Sequence, residues 1–159
     1  MAYSGKYKPK NRFKYKGDCD NIVFRSLWER NAFKWCDNSE LVKEWSSEEV
    51  VIPYFYDVDK KYHRYFMDLK ITWKNGKTCL VEIKPEKETK PPPFHGKKSK
   101  RYISEGMTYV KNMNKWSAAQ EYAADDGTQI YSSLLLSASF SPKRKVSVDS
   151  RLLQIRFPR

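Results

Sequence analysis

The apolar and polar positions of this chain follow two periods, and each marks different elements. Phe24, Leu27, Trp28, Ala32 and Trp35 recur at helical spacing. Asp20 or Asn21 stands where a capping residue belongs, so a helix is predicted from there to about Cys36, ended by Asp37-Asn38-Ser39. Val50-Val51-Ile52 begins a strand with Pro53 at its end, and Asp57-Val58-Asp59-Lys60 makes a turn. Tyr62 to Trp73 reads as the next strand and Thr78 to Lys84 as its hairpin partner. The charged stretch from Glu86 to Lys100, with Pro91-Pro92-Pro93 inside it, reads as a loop. Tyr109, Met113, Trp116, Ala119 and Ala123 mark one side of a long helix from about Arg101 to Asp125, with Gly127 as its stop. Ile130 to Leu136 reads as a last strand. The order α-β-β-β-α-β predicts an α/β or α+β protein, a sheet flanked by helices.

The turn between the two hairpin strands decides which residues meet. Lys74-Asn75-Gly76-Lys77 contains Asn-Gly, a strong hairpin signal. A two-residue loop would pair Asp68 with Ile83 and turn it away from Glu82 and Lys84. A three-residue loop with Gly76 left-handed shifts the register by one, setting Asp68 across from Glu82, Leu69 across from Val81 and Ile71 across from Cys79. A one-residue slip exchanges the two faces of a strand, and only the second register buries the apolar set together. The second register is therefore expected. Glu82 and Lys84, at i and i+2, then point the same way as Asp68.

Length and charge narrow the partners. At 159 residues, with 40% hydrophobic and 15% aromatic content, the chain makes one folded domain with a real core. The expected divisions are a basic N-terminal arm over 1–19, a catalytic domain over 20–136 and a basic tail over 137–159. The net charge of +12 is carried in clusters, at Lys6 to Lys16, at Lys97, Lys98, Lys100 and Arg101, and at Lys143 to Arg159. Such clusters form a footprint for phosphate, and Tyr3, Tyr7, Phe13 and Tyr15 could stack on bases. A basic surface that only keeps the chain soluble, or that meets an acidic protein, is the plainer alternative. Cys19, Cys36 and Cys79 lack the number and spacing of a disulfide framework or a zinc site, and His63 and His95 do not complete one. A lysine-rich start with no apolar run behind it, and no stretch of membrane-spanning length, predict a cytosolic protein with no membrane partner.

Two acids and an ammonium converging on one point suit metal-assisted phosphodiester hydrolysis. The alternative is an ordinary exposed hairpin with cross-strand ion pairs. Glu29 has a rival role too, since Ser26-Leu27-Trp28-Glu29 fits a capping box. Apolar positions continuing upstream to Phe24 argue against a helix start at Ser26, so Glu29 stays a site candidate. His63, five residues before Asp68, falls on the opposite face of a regular strand and is expected to be structural or to touch phosphate. Asn114 and Lys115 on the long helix could reach a phosphate or belong to a solvated face. The Pro-rich loop with Lys97, Lys98, Lys100 and Arg101 is a DNA-facing or protein-docking segment.

At Asp68, thirteen intervening residues and Glu82-Ile83-Lys84, with Glu29 on the preceding helix, the chain resembles the PD-(D/E)XK nuclease superfamily, with Met67 where a Pro is usual. Tyr3-Ser4-Gly5, Tyr15-Lys16-Gly17, Arg25-Ser26-Leu27-Trp28-Glu29-Arg30, Glu44-Trp45-Ser46-Ser47-Glu48-Glu49, His63-Arg64-Tyr65-Phe66 and Asn114-Lys115-Trp116 resemble the head completion nucleases of T-even-type tailed phages over roughly residues 3–125. The resemblance implies a restriction-endonuclease-like core and a site of Glu29, Asp68, Glu82 and Lys84. It implies Mg²⁺, with Mn²⁺ as a substitute, held by Asp68, Glu82 and the Ile83 carbonyl. Glu29 would hold a water on the metal or a second metal, and Lys84 would stabilise the phosphate or orient the attacking water. It also implies double-stranded DNA as substrate, portal, neck or other head proteins as partners, and a place in the host cytoplasm or the virion. A catalytically silent joining protein is the alternative of another class, and the intact Asp68, Glu82 and Lys84 argue against it. A resolvase or transposase-type nuclease subunit is a third, which the basic arm and the lack of a second domain argue against.

Overall fold

The structure, a computed structural model, describes residues 3–134. The expected basic tail over 137–159, and the end of the strand expected to reach Leu136, lie outside the described residues. In chain order the elements are β1 (Gly5–Tyr7), β2 (Ile22–Phe24), α1 (Leu27–Asn38), β3 (Val42–Ser46), β4 (Val51–Tyr56), β5 (Lys61–Phe66), β6 (Leu69–Trp73), β7 (Thr78–Lys84), α2 (Lys100–Asp126) and β8 (Gln129–Leu134). A four-stranded sheet has the order β3-β6-β7-β8, and two separate ribbons pair β1 with β2 and β4 with β5. β3, β6 and β7 are antiparallel neighbours, whereas β8 returns parallel to β7 after α2. That crossover is the ordinary way to join parallel strands.

Period-two alternation sorts the sheet's side chains between two helices. Leu69, Ile71, Cys79, Val81 and Ile83 pack with Ala32, Phe33 and Cys36 of α1 and with Trp45 of β3. On the other side, Leu80 joins Ile52, Tyr54, Tyr56 and Tyr65 of the β4–β5 ribbon, Met67 just after it and Ala119 of α2. The expected mixed sheet flanked by helices is therefore present.

Several element boundaries differ from the sequence reading. The first helix does not start at Asp20 or Asn21; residues 22–24 are a strand, and α1 begins after Ser26, whose Oγ accepts the Glu29 N–H at 3.1 Å. Ile22 and Phe24 are buried with Val23 between them half-exposed, a period of two that the helical stripe had absorbed. Leu27 and Trp28 of that stripe stand exposed, and the buried positions of α1 are Ala32, Phe33, Cys36 and Asp37. β3 had no counterpart in the sequence reading, because the bulge between Val42 and Glu44 breaks its alternation. β4 runs through Pro53 rather than ending there. Counting from the Met67 N–H bonded to the Val50 carbonyl, Pro53 faces Arg64 at a position whose N–H the ladder does not use.

The N-terminal segment, read as an arm, packs on the body. Tyr15 and Tyr7 meet Trp45 edge-on, with ring centroids 4.7 and 6.0 Å apart. The fully buried Asp37 accepts the backbone N–H groups of Lys10 at 2.7 Å and Asn11 at 3.0 Å. Lys14 Nζ donates to the carbonyls of Cys36, Asp37 and Ser39 at 3.0, 3.0 and 2.7 Å. An ammonium at the end of α1 satisfies carbonyls the helix leaves open and complements its dipole.

The hairpin register matches the three-residue loop. Leu69 faces Val81 and Ile71 faces Cys79. Trp73 N–H bonds the Lys77 carbonyl at 2.8 Å across Lys74-Asn75-Gly76, and Gly76 has φ +85°. The expected single strand from Tyr62 to Trp73, however, is two strands. At Met67 the chain changes partners: Met67 N–H bonds the Val50 carbonyl at 2.9 Å and its carbonyl accepts Glu48 N–H at 3.1 Å. Only from Leu69 does it pair with β7. A side chain at Gly76 would have space but would hold a positive φ, at a cost of about 1–2 kcal/mol. Gly76→Val should thus lower the melting temperature by about 3–6 °C in a calorimetric scan; an unchanged melting temperature would contradict the bulge.

Candidate active site

The partner change at Met67 creates the site. Continued regularly, β6 would pair Met67 with Ile83, and both backbone groups of Ile83 would bond to it. Met67 is bonded elsewhere, so the Ile83 N–H and carbonyl face a gap. Asp68 fills it: its Oδ2 accepts the Ile83 N–H at 2.6 Å. One turn of register places Glu82 directly across from Asp68, on the α2 side of the sheet.

Glu82 is buried, 3% exposed, yet both of its oxygens are engaged. Tyr65 Oη donates to Oε2 at 2.6 Å, and Lys84 Nζ lies 2.8 Å from Oε1. Asp68, Glu82 and Lys84 therefore converge as expected. The pairing that the ordinary-hairpin reading required, an exposed ion pair, is not what is found.

The electrostatics report strain between the acids. Withdrawal from water and then the charge of Glu82 hold the Asp68 carboxyl well above the usual carboxylate range, and Glu29 adds to this. The Ile83 N–H and Lys84 act against them and do not prevail. Burial opposes the charge on Lys84, but Glu82 and then Asp68 outweigh it and raise its pKa. Tyr65 is raised by burial and then by Glu82, so it stays a hydrogen-bond donor.

Glu29 sits in the first turn of α1, close enough to act on Asp68, while also serving the helix start. Its Oε1 takes the Ser26 hydroxyl at 3.0 Å and its Oε2 the Arg25 N–H at 2.8 Å. The capping box that the apolar positions argued against is therefore present, and Glu29 also acts on Asp68 through its charge. Arg25 pairs with Glu48 and lies in the field of Glu29 and Asp68.

The other candidates divide. Lys115 is at the site: its Nζ stands 4.9 Å from the Tyr65 ring centroid and 5.8 Å from that of Tyr54. Burial and then the charge of Lys84 lower its pKa, while Glu82 and Asp68 pull the other way. Asn114 is instead a brace, exchanging hydrogen bonds of 3.1 and 2.7 Å with Asp57 at the ribbon's turn. His63 also braces that turn, 2.7 Å from Asp59. Lys97, Lys98, Lys100 and Arg101 are exposed around the start of α2. Lys100 is about 22 Å along the helix from Lys115, and Arg101 bonds Glu105 at 2.9 Å. Tyr65 was missed in the sequence, where an aromatic in an alternating strand looks like any core residue.

Residues 39–130 match the family of TnsA-like endonuclease N-terminal domains. The chain belongs to that family. The TnsA-like endonuclease domain is of the PD-(D/E)XK type, in agreement with the mixed sheet and with Asp68, Glu82 and Lys84. The chain is also 45% identical over 131 residues to the head completion nuclease of Enterobacteria phage T4, spanning 80% of this chain and 87% of that protein. No solved structure matches it.

Among the described residues no three His, Cys, Asp or Glu side chains are grouped as a metal cage. The donors present in this family member are two carboxylates and a carbonyl, all hard oxygens. Mg²⁺ takes one or two carboxylates and leaves its other positions to water and substrate, so this set fits it. The mutual repulsion of Asp68 and Glu82 fits it as well, since a bound cation would relieve it. The Asp68 pKa is raised on folding, so its ionisation costs stability as pH rises past the ordinary carboxylate range. Asp68→Asn keeps an acceptor for the Ile83 N–H and removes that cost. At pH 7 without metal the substitution should raise the melting temperature by about 2–4 °C, near 1 kcal/mol, with the gain shrinking toward pH 4. An equal or lower melting temperature at pH 7 would contradict the repulsion.

Proposed function

We propose that this chain is a Mg²⁺-dependent deoxyribonuclease acting in phage head completion. It would cut or trim packaged double-stranded DNA so that a filled head can receive its tail. The observation that carries this reading is the convergence of Asp68, Glu82 and Lys84 at the end of β7, with Asp68 locked to Ile83. Identity of 45% to a head completion nuclease supports the phage role over a transposase-type one. Portal or neck proteins would be its neighbours in the head, and the host cytoplasm and the virion its places of action.

Asp68, Glu82 and the Ile83 carbonyl would hold the cation, with Mn²⁺ as a substitute. When bound, the cation supplies Lewis acidity toward the phosphodiester. The chain's own groups do the rest. Lys84, fixed by Glu82, faces the position a scissile phosphate would take and balances its charge. Tyr65 donates to Glu82 and fixes the carboxylate's orientation. Lys115 enters from α2 on the opposite side from the sheet and gives the phosphate a second cation. Glu29, beside Asp68, orients water for in-line attack. The exposed Lys97, Lys98, Lys100 and Arg101 lie farther out and would contact the DNA backbone away from the cut, making binding salt-dependent.

Supercoiled plasmid incubated with the protein and Mg²⁺ tests the reading. Wild type should cut it, EDTA should stop cutting, and Asp68→Ala and Lys84→Ala should abolish it. Lys115→Ala should lower the rate about ten- to a hundredfold, and Lys115→Arg should retain most of it. Cutting that survives Asp68→Ala or Lys84→Ala, or no cutting by wild type with any divalent metal, would leave the joining-protein alternative instead.

A further inference from the structure

The β4–β5 ribbon has one face the site does not use. Its inward residues, including Tyr54, Tyr56 and Tyr65, pack toward α2. Its outward residues form three facing pairs, Val51 with Phe66, Pro53 with Arg64 and Phe55 with Tyr62. Apolar side chains on that face remain in water, Tyr62 at 76%, Phe66 at 42% and Phe55 at 39% exposure. Phe55 and Tyr62 meet edge-on at 5.3 Å, and the Arg64 guanidinium lies 5.6 Å from the Phe66 ring centroid. Tyr62 and Phe66 are four residues apart on one strand, about 13 Å, with Arg64 midway.

Exposed aromatic rings with a cation between them match single-stranded nucleic acid in both respects. Ring faces stack on bases whatever their sequence, and an arginine between them neutralises phosphate and can stack as well. The face carries no outward acid within its three pairs, and the chain bears a net charge of +12. Phe66 stands two residues before Asp68 in the chain, so the end of this face is tied to the strand that carries the site. Duplex DNA offers no exposed base faces to such a surface except where strands are frayed or branched.

We propose that the outward face of the β4–β5 ribbon binds unpaired nucleotides of the DNA substrate by stacking them on Tyr62 and Phe66, with Arg64 on the intervening phosphate. The inference rests on the nuclease reading for its choice of DNA. The enzyme would then favour DNA that carries a single-stranded segment beside the cut.

Binding in EDTA separates this idea from catalysis. The full chain is titrated into labelled oligothymidine and into a blunt duplex of equal length, followed by fluorescence anisotropy. Tyr62→Ala/Phe66→Ala should lose at least about tenfold in affinity for the single strand, with less than twofold change for the duplex. Tyr62→Leu/Phe66→Leu keeps the face apolar and should lose single-strand affinity similarly, and Tyr62→Phe should retain it. Melting temperatures of the variants establish that each is folded. Unchanged single-strand affinity in both double variants would overturn the proposal and give the face to an apolar protein partner. Equal losses on both DNAs would overturn it also. Failure of the nuclease reading would show separately, as intact stacking-dependent binding with no cutting of plasmid in Mg²⁺.

Discussion

The hydrogen bond from the Ile83 N–H to Asp68 Oδ2 is the contact on which the arrangement of this protein depends. It exists because the chain abandons one ribbon and joins another sheet within two residues. Met67 is held by Val50 and Glu48, and Leu69 is held by Val81. Between them Asp68 has no strand partner, and β7 has an unpaired peptide unit. A buried peptide N–H without a partner costs on the order of 1–3 kcal/mol, so the carboxylate is drawn to it. The result is an acid fixed at the start of an interior strand in a half-buried place, where it opposes Glu82. Both requirements, a satisfied backbone and a poised site, are met by one side chain.

The groups around that contact are arranged at a cost in stability. Two carboxylates share a small space with one directly bonded lysine, and a second lysine is pressed against tyrosine rings nearby. Each lysine feels both acids, and Lys115 also feels Lys84. Such a cluster is stable only with a firm frame, which the two cores and the brace between Asn114 and Asp57 provide. Functional sites commonly hold groups that the fold alone would not choose, and stability is lost in exchange.

Much of the site was legible in the sequence because its logic is local. Asn75-Gly76 set the loop, and the burial of alternate residues in both strands chose the register that places Asp68 opposite Glu82. Helical spacing places the start of α1 too early because Phe24, three and four residues before Leu27 and Trp28, belongs to a strand whose partner is the distant β1, with Phe24 opposite Gly5. Ser26 and Glu29 carried the right signal, a cap, and were outvoted by periodicity. β3 stayed hidden because its bulge spoils alternation. Tyr65, the clamp of Asp37 on the N-terminal segment, and the approach of Lys115 are contacts between distant segments. No local pattern encodes them.

Asp68, Glu82 and the Ile83 carbonyl, brought together by the change of partners at Met67, would hold the proposed cation. A crystal of the full chain soaked in Mn²⁺ tests it through anomalous scattering. A peak at bonding distance from both carboxylates and the Ile83 oxygen, absent in Asp68→Asn crystals, is the predicted result. A peak elsewhere, or one that persists unchanged in Asp68→Asn, would contradict it.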